Sequence, residues 1–107
     1  MPHYMTQFSY TADAWKALAQ NPTNRLDVFA AMAAKLGVKV VAAYYAFGEY
    51  DGVIISEAPD DKTAAAAVIA AMSPGHLRSV KTTVLMTGDE TVEALRKAAT
   101  VTYQGPS

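Results

Sequence analysis

The segment from Tyr45 to Ile55 constrains the fold most, because it places apolar residues on both sides of a short polar turn. In this interpretation Gly48 and Glu49 form a two-residue turn, with glycine at the first central position, where a positive φ is required. The register then pairs Tyr45 with Gly52, so that an aromatic ring covers the backbone that glycine leaves bare. The segment therefore predicts a tight β-hairpin.

Neither face of the predicted hairpin is polar, unlike a sheet that has one face in water. One face carries Val41, Ala43, Tyr45, Phe47, Tyr50, Gly52 and Ile54. The other face carries Val40, Ala42, Tyr44, Ala46, Asp51, Val53 and Ile55. A bulge would exchange some of these positions, because a one-residue slip moves every side chain to the opposite face. We expect helices of the chain to cover one face and a second copy of the protein to cover the other.

Periodicity and capping residues predict the remaining elements. In chain order these are a strand at 4–10, a short helix at 11–18, a helix that begins at Asn21-Pro22 and ends at Gly37, hairpin strands at 38–47 and 50–58, a helix capped by Asp60 or Asp61, a strand at 77–86, and a helix that begins with a capping box at Thr87–Glu90. In the last helix we expect Val92, Leu95 and Ala99 to face inward.

The predicted order is β-α-β-β-α-β with an extra C-terminal helix, which is the ferredoxin-like plan of the α+β class. Its four strands form an antiparallel sheet with helices on one face. Residues 1–107 fit one domain by length.

Composition argues against several classes of function. The formal net charge is −1 and no basic run occurs, so we expect no binding of nucleic acid. The sequence has no cysteine, no pair of histidines at metal-ligand spacing and no glycine-rich nucleotide loop, so we expect no metal and no cofactor. No stretch approaches the roughly 18 apolar residues that span a membrane. With no signal-peptide pattern at the N-terminus, we expect a cytoplasmic protein.

The chain resembles the GYD domain family over about residues 3 to 90. The matching pieces are Gly48-Glu49-Tyr50-Asp51, the strand Val53 to Glu57 and Glu57-Ala58-Pro59-Asp60-Asp61, with weaker matches at Ala34-Lys35-Leu36-Gly37 and Arg78 to Thr83. The chain departs from the family at Gly52, where a bulky apolar residue is common. The resemblance implies a dimeric α/β-barrel. Related barrels include cofactor-free monooxygenases, isomerases and ligand-binding regulatory domains, so the fold alone does not assign an activity.

Three polar residues are candidates for catalysis: Glu49, Asp51 and His76. A carboxylate beside a phenol works as an acid–base pair if both face one pocket. In the alternative interpretation Glu49 is solvated, Asp51 binds backbone near the turn, and His76 is an ordinary exposed histidine.

Four residues are candidates for ligand binding: Trp15, Tyr45, Tyr50 and Arg78. The aromatic side chains suit a planar organic molecule, but aromatics also dominate cores and dimer interfaces. An arginine suits an anionic group, although Arg25 and Arg78 are equally compatible with plain surface positions.

Three hypotheses of function follow, of which the third is a purely structural homodimer module. The first is a small homodimeric module that binds a small apolar or aromatic ligand or serves as an accessory protein. The second is a cofactor-free enzyme, of monooxygenase or isomerase type, that acts on an aromatic or polyketide-like molecule. An enclosed pocket with converging polar groups would support a site over a purely structural dimer.

Overall fold

The computed structural model describes residues 1–106 of the chain. Its elements in chain order are β1 (His3–Tyr10), α1 (Ala12–Gln20), α2 (Arg25–Lys35), β2 (Lys39–Tyr45), β3 (Gly52–Glu57), α3 (Asp61–Met72), β4 (Leu77–Leu85) and α4 (Gly88–Ala98). The predicted α+β class and element order are confirmed, with two helices between the first two strands.

The four strands form one antiparallel sheet in the order β2-β3-β1-β4. Buried and half-buried residues alternate along β3, because one sheet face lies under the helices. The other sheet face carries Met5, Ala42, Tyr44, Val53 and Ile55, and we call it the open face. Tyr44 is 67% exposed there.

The register of the hairpin is as predicted, with Tyr44 opposite Val53 and Tyr45 opposite Gly52. The connection between the strands is not a two-residue turn, since β2 ends at Tyr45 and β3 begins at Gly52. Among the glycines of the described chain, Gly37 and Gly75 have a positive φ of 81° and Gly48 does not, so the prediction for Gly48 is wrong. The longer loop spreads the reversal over several residues and removes the need for strain.

A register shift between Val40 and Ala42 changes the face of one predicted residue. Val40 pairs with Ser56 and packs against the core under the helices, although strict alternation put it on the other face. The bulge inserts one extra residue into β2. Residues before the bulge therefore point to the face opposite the one that strict alternation predicts.

Local capping positions the helices. Asn24, rather than Asn21, caps α2, because its side chain accepts hydrogen bonds from the Leu26 and Asp27 N–H groups. Asp60 caps α3 and Thr87 forms the predicted capping box with Glu90. Each cap satisfies N–H groups that have no partner within the helix.

The core is built largely from small residues between the sheet and two helices. Its buried members are Tyr4, Ala33, Val38, Ala58, Ala64 and Ala67. Alanine at these positions lets α2 and α3 lie close to the sheet. Larger apolar residues of α2, such as Phe29 and Met32, are only half-buried, and this leaves space farther along the same sheet face.

Tyr4 makes the stability of the core dependent on pH in the alkaline range. Its hydroxyl donates a hydrogen bond of 2.6 Å to Asp61 Oδ1, and this bond, with burial, raises the pKa of Tyr4 to about 12. The unfolded chain ionises Tyr4 near its ordinary pKa of about 10. The folded state therefore keeps a proton that the unfolded state loses, so stability is full below about pH 10 and falls as pH rises toward 12.

We expect thermal melts between pH 8 and 12 to show this loss in the parent protein and a shallower loss in Tyr4→Phe, which has no phenolic proton. Parallel pH profiles for the two proteins would contradict the assignment.

The C-terminal helix differs most from the prediction. Val92 is 43% exposed and Leu95 64%, and Ala99 is exposed as well, so the face of α4 that was expected to lie inward is largely open to solvent among residues 1–106. The radius of gyration is 17.4 Å, whereas a compact domain of this length has about 13 Å. Among the described residues, no helix combines the length and the apolar character that crossing a membrane requires.

Candidate functional site

A cavity of about 660 Å³ lies between the sheet and helices α1, α2 and α3. Its walls are mostly apolar, with Phe8, Ile54 and Val80 from the sheet and further side chains from the helices. The helix contribution is Ala14, Ala17, Leu18, Leu26, Val28, Phe29, Met32, Val68, Ala70 and Ala71. This volume and lining are typical of sites for small organic molecules, which range over roughly 300–1,000 Å³.

The cavity exists because strand and helix periodicities place apolar residues on facing surfaces that small side chains do not fill. Phe8 and Ile54 alternate with outward residues on β1 and β3, and Leu26, Phe29 and Met32 recur at helical spacing on α2. The opposing positions of α1 and α3 are mostly alanine, which leaves the space open.

Polar groups lie mainly around the rim. We define the cavity mouth as the exposed polar residues of the lining, which are Gln20, Asn21, Thr23, Arg25 and His76. All but His76 belong to the end of α1, the start of α2 or the linker between these helices. Thr6 lies deeper, where its hydroxyl is 3.2 Å from the Thr82 hydroxyl.

Tyr10 stands at the centre of an aromatic group beside the cavity. Its ring centroid lies 5.2 Å from that of Trp15 and 5.3 Å from that of Phe8, both in edge-on geometry. The Tyr10 and Tyr45 hydroxyls are 3.5 Å apart. Burial, followed by the hydrogen bond with Tyr45, raises the pKa of Tyr10 above its ordinary value, so this phenol is uncharged at neutral pH.

Asp51 fixes this aromatic group in place. Its Oδ2 accepts a hydrogen bond of 2.9 Å from the Tyr10 N–H and one of 3.2 Å from Trp15 Nε1. Its own N–H donates to the Phe8 carbonyl at 2.8 Å. The expected acceptance of backbone hydrogen bonds by Asp51 is confirmed, and the same carboxylate ties α1 to the end of β1.

Gly52 is covered by the ring of Phe8, and it also pairs with Tyr45 as the sequence predicted. A Cβ at Gly52 would meet Phe8 Cζ and would lie 2.6 Å from Phe8 Cε1. Phe8 pairs with Gly52 from β1, while Tyr45 pairs with it from β2 on the other side. The absence of a side chain at Gly52 therefore lets Phe8 take its position in the cavity wall.

The structure brings together some of the residues proposed from sequence. Trp15, Tyr45 and Asp51 surround Tyr10, and His76 lines the cavity, where its carbonyl accepts the Thr11 N–H at 2.9 Å.

The other proposed residues lie apart from this group. Glu49 is exposed in the loop between β2 and β3, Tyr50 is half-buried in the same loop, and Arg78 is exposed on β4. Arg25, which the sequence offered either as a partner for an anionic group or as a plain surface residue, is exposed and lines the cavity.

Residues that sequence analysis missed belong mainly to the linker after α1. The sequence presents Asn21 only as a helix-start signal, and it gives no reason to single out Gln20 or Thr23. The sequence feature that could have located them is their position in the linker between two helices, because both helices cover the same sheet face.

Comparisons with known proteins agree with this architecture. A protein of Thermus thermophilus, named glutamine synthetase and cystathionine beta-lyase binding protein, is 36% identical over 80 residues, which cover 75% of this chain and 84% of that protein. Among solved structures, TTHA0845 from the same organism is similar with a TM-score of 0.55 at 15% identity, covering 82% of this chain and 96% of that one.

A second solved structure, MtbAldR, is similar with a TM-score of 0.57 at 15% identity. The match covers 80% of this chain and 53% of MtbAldR, so the chain spans about half the length of that protein. At this identity the two structures support the fold alone. The GYD domain family matches residues 4–95, which is most of the chain. The protein therefore belongs to the GYD domain family.

Proposed function

We propose that the protein is a small homodimeric binding module whose cavity holds a small, largely apolar molecule. The observation that carries this proposal is the cavity of about 660 Å³, with apolar walls and a polar mouth. An apolar ligand gains roughly 25 cal/mol for each Å² of apolar surface removed from water, and the polar mouth orients it.

The homodimer is supported by surfaces that one chain leaves uncovered. The open face carries Ile55 and Val53 half-buried beside the exposed Tyr44, while Val92 and Leu95 of α4 are also exposed. Exposed apolar patches of this kind are typical of interaction sites. A second copy carries the same open face, so two copies related by a two-fold axis cover each other's open faces.

A titration with Nile red, an uncharged apolar dye, tests whether the cavity binds ligands. We expect saturable binding with one dye per chain and a dissociation constant raised about tenfold or more in Ala17→Phe. Ala17 lines the cavity, and a phenyl ring there occupies space that the ligand needs. Each tenfold change corresponds to about 1.4 kcal/mol.

Ala19→Phe is the matched control, because Ala19 is exposed on the same helix and lies outside the cavity lining of the described residues. The control should bind the dye like the parent. Equal weakening in both variants, or binding that never saturates, would refute the cavity as the site.

A second candidate function is an accessory protein that docks on a metabolic enzyme. The name of the Thermus relative, a binding protein for glutamine synthetase and cystathionine beta-lyase, favours it, and the exposed apolar residues of α4 supply a surface. Co-elution of the purified protein with purified glutamine synthetase distinguishes this function from ligand binding alone.

A further inference from the structure

The charges around the cavity are unbalanced. Among the lining residues that the structure describes, Arg25 carries the fixed charge, and neither an aspartate nor a glutamate belongs to the lining. Within residues 1–106, no carboxylate oxygen lies within 4.0 Å of the Arg25 guanidinium. The guanidinium therefore stands at the mouth of an apolar cavity without a carboxylate of the described residues in direct contact.

The nearest carboxylates in the sequence and in the site have other partners. Asp27 accepts a hydrogen bond of 3.0 Å from Asn24 Nδ2, and residues two apart on a helix do not face each other, so it does not neutralise Arg25. Asp51 Oδ2 accepts hydrogen bonds from the Tyr10 N–H and Trp15 Nε1 and forms no ion pair with Arg25, although the charge of Asp51 also reaches Tyr10. The charge of Arg25 acts on Tyr10, where it opposes the rise in pKa caused by burial, and this supports its orientation toward the site.

We propose that the cavity selects an apolar monocarboxylate, either aryl or branched-alkyl, with its carboxylate paired to Arg25 at the mouth. The inference rests on the proposed function, since it requires the cavity to be a binding site. The apolar walls around Phe8, Phe29 and Ile54 receive the body of the ligand, and the arginine fork binds a carboxylate through two parallel hydrogen bonds. One fixed cation matches one negative charge, whereas a dianion would bring a charge that the lining does not balance.

Three probes with the same ring test the charge rule by isothermal titration calorimetry. They are 1-naphthaleneacetate, the uncharged 1-naphthaleneacetamide and the dianionic 1-naphthyl phosphate. We expect the acetate to bind about five- to tenfold more tightly than the amide. The preference is limited because Arg25 is exposed and water screens its charge.

Two substitutions at Arg25 test whether this residue causes the preference for the acetate over the amide. Arg25→Gln should bring the acetate-to-amide ratio to about one, because the affinity for the acetate falls more than the affinity for the amide, and Arg25→Lys should retain most of the preference. Lys62→Gln, on α3 and outside the described lining, is the matched loss of one positive charge and should leave the ratio as in the parent. Thermal melts verify that each variant folds.

The outcomes separate this inference from the proposed function. Equal affinity of the parent for acetate and amide overturns the selection of a carboxylate while cavity binding stands. A ratio that falls equally in Lys62→Gln overturns the role of Arg25, and tighter binding of the phosphate overturns the assignment of a monocarboxylate. Failure of all three probes together with Nile red overturns both proposals.

Discussion

Gly52→Ala is expected to lower the free energy of unfolding by about 1–3 kcal/mol, the usual range for overpacking a core. An added Cβ would lie 2.6 Å from Phe8 Cε1, inside van der Waals contact. Phe8 is 5% exposed and packs edge-on against Tyr10, so its ring cannot move without disturbing the aromatic group. For a domain of this size the loss corresponds to a fall in melting temperature of roughly 5–15 °C.

Gly48→Ala is the matched control for this substitution. A Cβ at Gly48 meets no heavy atom within 4 Å, and the φ of Gly48 is not positive. Both variants gain the same contribution of about 0.4–1 kcal/mol from reduced freedom of the unfolded chain. Gly48→Ala should therefore melt like the parent or slightly above it, and the difference between the variants measures the clash.

Phe8→Leu in the Gly52→Ala background tests the cause. Without the ring, Gly52→Ala should lower the free energy of unfolding by less than it does when Phe8 is present. A double-mutant cycle measures this coupling. An alanine at Gly52 that costs no more than one at Gly48 would show that Phe8 relocates freely into the cavity.

Ile55→Asp is expected to dissociate the proposed homodimer. Ile55 lies on the open face and pairs with Met5 and Ala42, so two-fold pairing of these faces would bury an aspartate from each copy. Burying unpaired carboxylates costs several kcal/mol, and we expect the dimer dissociation constant to rise about a thousandfold or more, or roughly 4 kcal/mol. Sedimentation velocity at micromolar concentration should then show the 11.4 kDa chain as a monomer.

Ile69→Asp provides the control for the charge itself. Ile69 is 62% exposed on α3, on the helix side of the sheet, so its aspartate stays in water. This variant should sediment as a dimer like the parent. A parent that is monomeric at these concentrations, or an Ile55→Asp protein that remains dimeric, would refute the proposed interface.

The parts of the fold that sequence predicted are those fixed by local chemistry. Strand and helix periodicity predicted the element order, the centring of the turn on Gly48-Glu49 predicted the register of Tyr44 with Val53, and capping residues located the starts of α3 and α4. These signals depend on neighbours in the chain, so they are visible without the tertiary structure.

The parts that sequence missed depend on contacts between distant segments. Asp51 binds the Tyr10 N–H from 41 residues away, and this bond holds a long loop where the pattern indicated a two-residue turn. The choice of Arg25 over Arg78 as the cavity cation follows from how α2 lies on the sheet, which helical spacing alone does not determine. The exposure of Val92 and Leu95 on α4 was missed for a similar reason. Helical spacing shows that a helix has an apolar face, but it does not show which surface that face packs against.

The place of β1 in the sheet has a consequence for how the protein is made. β1 is synthesised before the other described elements, yet it lies between β3 and β4 within the sheet. One edge stays unpaired until residues 52–57 have left the ribosome and the other until residues 77–85 have followed, so the sheet is complete only after β4 has been made. An unfinished chain therefore exposes at least one unpaired edge of an apolar strand, which is open to aggregation or to chaperones until β4 arrives.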